Sequence, residues 1–307
     1  MRPLRGSRIA LTGATGFLGR VLVPLLQARG TRVVAVVRSL QKSADVLGVG
    51  VEAARADLMN PEALTEAFGG AEAVIANAAM TSSDSGDFDE YVRVNVQGAE
   101  NTLRAAKQAR VKRVLYVSTA GVYRLRLGRA MNEDSELLGD RRWSLSYLTT
   151  DHRYVRSKAR AEAKVWRLAE ELGLDLTVIR PAALYGPGDF RLSLYYRQAT
   201  QRPVCLAPTA LFPHVHAQDV AQAMVTSLEA PTSIGRAYNL SGESLAPYQV
   251  LRRLRKLTGA GPRLIPLWIP LAIRFDDSAA KGDLGFKARP IEQGLSDLIA
   301  PPDQPPA

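Results

Sequence analysis

IALTGATGFLG, residues 9–19, begins with a short apolar run, Ile9 to Leu11, and then sets Gly13, Gly16 and Gly19 in a TGxxGxxG spacing. Val21, Leu22, Leu25 and Leu26 follow at helical spacing, so the order is strand, glycine-rich turn, helix. Small residues are needed where a backbone turns sharply, where a pyrophosphate approaches main-chain N–H groups, and where a helix closes on a strand. At the opening of a βαβ unit, this turn is read as a dinucleotide cradle made by Gly13, Thr15, Gly16, Phe17, Leu18 and Gly19.

Outward from that turn the chain keeps the same rhythm. The first helix stops at Gly30, and Arg32 to Val37 follows as a β-branched strand. A strand at Val51 to Ala54 leads to Asn60 and Pro61, an N-cap and first-turn proline for a helix through Phe68. Ala73 to Ala76 is a fourth strand, Asp89 to Ala109 a helix, and Val114 to Val117 a fifth strand. A helix from Tyr154 to Leu172 closes at Gly173 before a sixth strand, Leu176 to Ile179. Strands without polar alternation, separated by helices, predict a doubly wound α/β domain with a parallel sheet covered on both faces. Beyond Arg180 prolines and glycines crowd in and the rhythm stops. The expected division is a Rossmann domain over 1–180, with 215–242 returning to it, a smaller mixed substrate lobe over 181–214 and 243–299, and a disordered proline-rich tail at 300–307.

The composition narrows the class. Of 307 residues, 46% are hydrophobic and 23% charged, enough for a sizeable core and unlike disordered or collagen-like chains. Cys205 is the single cysteine, so neither an intrachain disulfide nor a cysteine metal cluster can form. His152, His214 and His216 show no ligand spacing with carboxylates, and no metal is expected. No stretch reaches the roughly 18 apolar residues of a membrane span, and a cytoplasmic location is the expectation. LIPLWIPLAI, residues 264–273, is short and broken by Pro266 and Pro270; it is read as buried packing rather than a membrane contact. The net charge of +10 is spread through the chain without interleaved aromatics, which favours anionic small molecules over nucleic acid. No membrane partner is expected, and a homodimer is left open.

Where a carboxylate after the second strand would accept hydrogen bonds from the adenosine ribose of NAD, Arg38 stands instead, with Lys42 nearby. A guanidinium there pairs with a 2′-phosphate, so NADP is the expected cofactor. Tyr154 and Lys158 in YVRSK lie four residues apart and face the same way on a helix. An ammonium one turn from a phenol lowers its pKa and lets it work as an acid or base.

These motifs come in an order that resembles the extended short-chain dehydrogenase/reductases, the NAD-dependent epimerase/dehydratase group, from about Arg8 to Leu298. The glycine turn matches, as does the Tyr-x-x-Ser-Lys helix. VSTAGVY (117–123) resembles the segment that supplies a catalytic hydroxyl, here Thr119 with Ser118 as the fallback. NVQGAENTLRAA (95–106), RPAALYGPGD (180–189) and HVHAQDVAQAM (214–224) match later segments. The resemblance implies hydride transfer between a nicotinamide and a substrate carbon. Tyr154 would move the proton at the substrate oxygen, Lys158 would hold the nicotinamide ribose, and Thr119 would orient the carbonyl. It also places Asp57 and Leu58 at the adenine, with Asn77, Ala78, Ala79, Asn95 and Pro181 along the cofactor; Asn77 stands where a histidine is commoner.

Departures sharpen the reading. The dehydratases of this group carry Asp-Glu after the catalytic Thr, and Ala120 and Gly121 stand there instead. A carbonyl reductase acting on a small ketone, aldehyde or alcohol, of the dihydroflavonol-reductase-like or hydroxysteroid-dehydrogenase-like sort, is the expected function. A nucleotide-sugar epimerase or reductase is the alternative, with Arg191, Arg197 and Arg202 available to a diphosphate. An NADP-binding regulator is a second alternative, which the presence of both Tyr154 and Lys158 disfavours. Specificity is expected from 124–153, with Trp143, and from 189–213, with Tyr195 and Tyr196.

Overall fold

Six of the predicted strands form one continuous parallel array in the computed structural model, which describes residues 4–41, 48–81, 84–126, 128–139, 151–189 and 192–299. They are β1 (Arg8–Thr12), β2 (Arg32–Val37), β3 (Glu52–Arg55), β4 (Ala73–Ala76), β5 (Arg113–Val117) and β6 (Asp175–Pro181). Their order is β3-β2-β1-β4-β5-β6, every neighbouring pair is parallel, and the strand Arg236–Leu240 adds beyond β6. This is the doubly wound arrangement, in which the chain reverses direction across the sheet between β1 and β4.

Burial explains the absence of alternation in β1, β2, β4, β5 and β6, whereas β3, at the sheet edge, is largely exposed. Ala10, Val34, Val74 and Val114 pack with Leu64, Leu103 and Val165 in one core cluster. Ile9, Leu11, Ala35, Ile75 and Leu115 point the other way and are buried as well. The helices are α1 (Phe17–Ala28), α2 (Pro61–Ala67), α3 (Phe88–Val92), α4 (Gly98–Gln108) and α5 (His152–Leu172). Asn60 caps α2 by accepting from the Ala63 N–H at 3.0 Å, and Gly173 ends α5 in the left-handed region at φ 64°. The helix read as continuous over 89–109 is interrupted: Arg93–Gln97 is a π-helical turn between α3 and α4. An apolar 3.6-residue stripe does not reveal such a turn, because the buried positions on either side keep their helical spacing.

The chain divides into two compact units, the described residues of 1–124, 135–180 and 221–238 in the first and of 125–134, 181–220 and 239–307 in the second. Residues 125–134, placed by the sequence reading inside the first, belong to the second. There the Met131 N–H donates to the Arg274 carbonyl at 3.0 Å, the Met131 carbonyl accepts from the Asp276 N–H at 2.8 Å, and Asn239 Nδ2 donates to the same carbonyl at 3.2 Å. The strand Arg236–Leu240 of the large sheet is β10; within the second unit, β7 (Ala183–Tyr185) and β11 (Ser244–Leu245) pair with β9 (Phe212–His216), and β8 (Val204–Pro208) pairs with β12 (Arg263–Leu267). Its helices are α6 (Leu192–Thr200), the start of α7 (Ala217–Glu229), α8 (Pro247–Thr258) and α9 (Ser278–Leu284), and its core gathers Tyr185, Tyr196, Cys205, Val250, Leu254 and Leu295. The expected burial of residues 264–273 is met at Ile273 and in part at Leu264, but Ile265, Leu267 and Trp268 are exposed, because β12 pairs with β8 at one flank and turns only one face inward. Among the described residues no helix is long and apolar enough to cross a membrane. Lys42, Leu127, Trp143, Arg191 and the tail 300–307 lie outside the described residues.

Candidate active site

The parallel strands deliver their C-terminal ends to one edge of the sheet, and the sequence-predicted residues of the first unit follow those ends. Gly13 comes after β1, Arg38 after β2, Asn77 after β4, and Ser118 and Thr119 after β5. Thr12, whose side chain is buried, ties two of them together, its Oγ1 accepting from the Asn77 and Ala78 N–H groups, both at 3.1 Å. Asn77 answers with its side chain, donating from Nδ2 to the Gly13 carbonyl at 3.1 Å. The asparagine at this place is thus a clamp on the glycine turn.

Gly13 and Gly19 leave no room for a side chain. Gly13 adopts φ 71°, and a Cβ on it would stand 2.9 Å from the Ala78 backbone. A Cβ on Gly19 would stand 2.2 Å from the Gly13 carbonyl oxygen, while at Gly16 the nearest atom would be 3.3 Å away. α1 starts from Gly16 without a side-chain cap and without an acidic residue in its first turn. Its leading N–H groups and the positive end of its dipole are therefore unopposed, which suits a pyrophosphate. The residues present fit a dinucleotide.

Thr15 and Phe17 are half-buried and Leu18 is buried in α1; Ala78 and Ala79 line the chain just past β4. Arg38 is exposed, and among the described residues no carboxylate pairs with it. Asp57 makes a local turn, accepting from the Met59 N–H at 2.8 Å, and Leu58 packs beside Gly98, where a Cβ would come within 3.0 Å of it. Pro181 is the buried last residue of β6. Asn95 lies in the π turn and is buried; it accepts from the Met80 N–H at 2.7 Å and donates to Ser157 Oγ at 2.8 Å. Ser157 in turn donates to the Tyr154 carbonyl at 2.8 Å, so the π turn holds the first turns of α5.

α5 begins with the Asp151 carboxylate accepting from the Arg153 N–H at 2.7 Å. Tyr154, Lys158 and Glu162 then recur every four residues along one face. Tyr154 is half-buried and packs with Val122, Leu138, Val155 and Ala159. Gly121 permits this approach, since a Cβ there would stand 2.9 Å from Val155 Cγ1. Lys158 is buried, and its Nζ donates to the Val117 carbonyl at 2.7 Å and to the Tyr116 hydroxyl at 2.9 Å. Burial lowers the Lys158 ammonium to a pKa of about 7 against the opposing pull of Glu162. Burial also lifts the Tyr116 phenol well above its ordinary value, so it meets Lys158 as a neutral acceptor. Thr119 is half-buried and caps the short turn Ala120–Val122, its Oγ1 accepting from the Gly121 N–H at 3.2 Å. Ser118 Oγ is buried and has no hydrogen-bond partner among the described residues.

Two residues here escaped the sequence reading. Glu162 is fully buried and its Oε1 accepts from Arg180 Nε at 3.0 Å and from Arg180 Nη2, while Arg180 Nη1 donates to the Tyr123 hydroxyl. Burial pulls the Arg180 guanidinium down, and Glu162 and Tyr123 more than offset it. Glu162 Oε2 has no hydrogen-bond partner among the described residues. The available signal was the third step of the Tyr154, Lys158 periodicity, a carboxylate on an otherwise buried helix face.

The NAD-dependent epimerase/dehydratase family model matches residues 9–241. The chain belongs to that family. As a family member it is an enzyme of the oxidoreductase kind that works with a nicotinamide cofactor. The sterol demethylase protein B of Methylococcus capsulatus is 35% identical over 83% of this chain and 76% of its own length. The 2-alkyl-3-oxoalkanoate reductase of Stenotrophomonas maltophilia is 32% identical over 84% of this chain and 77% of its own. Among solved structures, MoeE5 in complex with UDP-glucose and NAD superposes with a TM-score of 0.78 at 26% identity, over 95% of this chain and 97% of that one. Both an epimerase/dehydratase family frame and reductase-named relatives are therefore at hand. Among the described residues, no group of three or more His, Cys, Asp or Glu is placed to hold a metal ion.

Proposed function

We propose that this enzyme is an NADPH-dependent reductase of a ketone or aldehyde, with Tyr154, Lys158 and Thr119 as its working groups. The observation that carries the reading is Lys158, buried one turn from Tyr154 and held to the end of β5 by Val117 and Tyr116. Tyr154 donates its phenolic proton to the oxygen of the substrate carbonyl. The Lys158 ammonium favours the phenolate left behind and offers its remaining N–H to a cofactor ribose. Thr119 orients the carbonyl, with Ser118 beside it. The nicotinamide, when bound, supplies the hydride. Gly13, Thr15, Gly16, Phe17, Leu18 and Gly19 would cradle the pyrophosphate, and Arg38 would take the 2′-phosphate. Asp57, Leu58, Asn77, Ala78, Ala79, Asn95 and Pro181 complete the proposed cofactor set.

The name of the Stenotrophomonas relative, a 3-oxoalkanoate reductase, supports a ketone borne on an alkyl chain. Ala120 and Gly121 support simple reduction, since no second acid/base pair follows Thr119. The test is NADPH consumption, followed by absorbance, against a panel of 3-oxoalkanoates, aromatic aldehydes and UDP-glucose. Turnover is expected on a ketone or aldehyde, and Tyr154→Phe should lower it about a hundredfold to ten-thousandfold with NADPH affinity unchanged. Interconversion of UDP-sugars with no net NADPH consumption would replace this reading with the epimerase. Near-normal turnover in Tyr154→Phe would move the acid elsewhere.

A further inference from the structure

β8 and β12 form a two-stranded parallel ribbon in which Leu206 lies opposite Ile265 and Pro208 opposite Leu267. One face is turned into the core of the second unit through Cys205 and Ala207, with Leu264 packed against it. The other face is apolar and exposed. Val204 is 47% exposed, Leu206 62%, Ile265 42% and Leu267 46%, and Trp268, next along the chain, is 77% exposed. Single exposed apolar side chains are ordinary, but five large ones on one ribbon and its continuation make a patch that marks an interaction surface. The backbone beneath is held: the Thr209 N–H donates to the Leu267 carbonyl at 2.9 Å and the Ile269 N–H to Thr209 Oγ1 at 2.9 Å.

The two stretches of chain that carry the patch have charge of one sign. No acidic residue occurs between Asp189 and Asp219, or between Glu243 and Asp276, the two stretches that contain β8 and β12. Arg263 shares the exposed face opposite Val204, Arg202 precedes β8 by two residues, and Arg255 donates to the Pro262 carbonyl at 3.4 Å, next to Arg263. Basic groups thus stand at the N-terminal end of the ribbon, and aliphatic side chains with a tryptophan at the other. Apposing two copies through this face would bring like charges together in a parallel pairing, or set the arginines of each copy against the partner's aliphatic side chains in an antiparallel one. A layer of anionic headgroups over an acyl boundary takes both halves, pairing phosphates with the arginines and receiving the leucines, isoleucine and tryptophan.

We propose that the exposed face of β8 and β12 docks this protein onto the surface of an anionic lipid bilayer, lying on it without crossing it. The inference does not depend on the reductase chemistry. The test is flotation of the intact protein with phosphatidylcholine vesicles, with and without phosphatidylglycerol. Binding to the anionic vesicles should exceed binding to phosphatidylcholine alone at least tenfold and weaken as salt rises. Leu206→Asp with Trp268→Asp should reduce it at least tenfold, and Arg263→Glu at least fivefold, the effect of about one basic residue at such a surface. Because these side chains are exposed, unfolding temperatures should match the wild type; Trp268→Ala serves the same purpose if the double variant does not fold. Absence of wild-type binding to anionic vesicles would overturn the proposal, as would variants that float as well as the wild type. A wild-type dimer that the double variant converts to monomers, without vesicle binding, would reassign the face to self-association.

Discussion

Replacing Lys158 with Met tests the electrostatics of the site through folding stability, without reference to any substrate. In the unfolded chain this lysine titrates near its ordinary value, about 10.4. In the folded protein burial brings it to about 7, with Glu162 opposing. Below about pH 7 both states are protonated, and the wild type carries the full penalty of a buried ammonium, about 5 kcal/mol. As pH rises toward 10 the unfolded chain holds the extra proton, so this residue's contribution to stability grows by about 1.4 kcal/mol per pH unit. Removing the side chain also strips hydrogen bonds from the Val117 carbonyl and the Tyr116 hydroxyl, a loss of about 1–3 kcal/mol that is the same across this range. The two effects separate by pH. Urea unfolding of ligand-free wild type and Lys158→Met, compared at each pH so that other titrations cancel, should show the wild type gaining about 3 kcal/mol on the variant between about pH 6.5 and 9.5. A difference constant to within about 1 kcal/mol would mean that Lys158 titrates alike in both states, and would refute the argument.

Two further outcomes follow from the same geometry. If Arg38 makes a charge-assisted bond to a 2′-phosphate, it is worth about 1.5–3 kcal/mol, so NADPH should bind at least roughly tenfold more tightly than NADH at low salt. Arg38→Asp should abolish or invert that preference, and equal wild-type affinities in a fluorescence titration would remove the NADP assignment. Glu162→Gln leaves the buried Arg180 without its counter-charge and should destabilise the first unit by about 3–5 kcal/mol. Adding Arg180→Met should recover part of that loss; simple additivity of the two in chemical denaturation would show that the pair is not coupled.

What reads directly from the sequence is whatever a short window encodes. Gly13, Gly16 and Gly19 between an apolar run and a helical stripe mark the turn, and a Cβ at Gly13 or Gly19 would collide with backbone there. Unbroken apolar strands alternating with capped helices mark a parallel sheet covered twice, since each central strand must bury both sets of side chains. The i, i+4 pair of Tyr154 and Lys158 likewise needs only one helix to be legible.

Tertiary structure alone decided the long-range partners. Asn77 clamping Gly13 joins positions 64 residues apart, Asn95 meeting Ser157 spans 62, and Arg180 reaches back to Tyr123 over 57. A polar side chain in a sequence announces that it needs a partner, not which element will bring one. The apolar stretch at 264–273 carries the same lesson in reverse. Hydrophobicity is a property of the residue, whereas burial belongs to its neighbours, and β12 has a neighbour on one face only. The sequence therefore determined where most strands and helices run and where the glycine turn must lie. Which buried charge faces which, and which apolar face is left for water or a bilayer, depended on how those segments assemble.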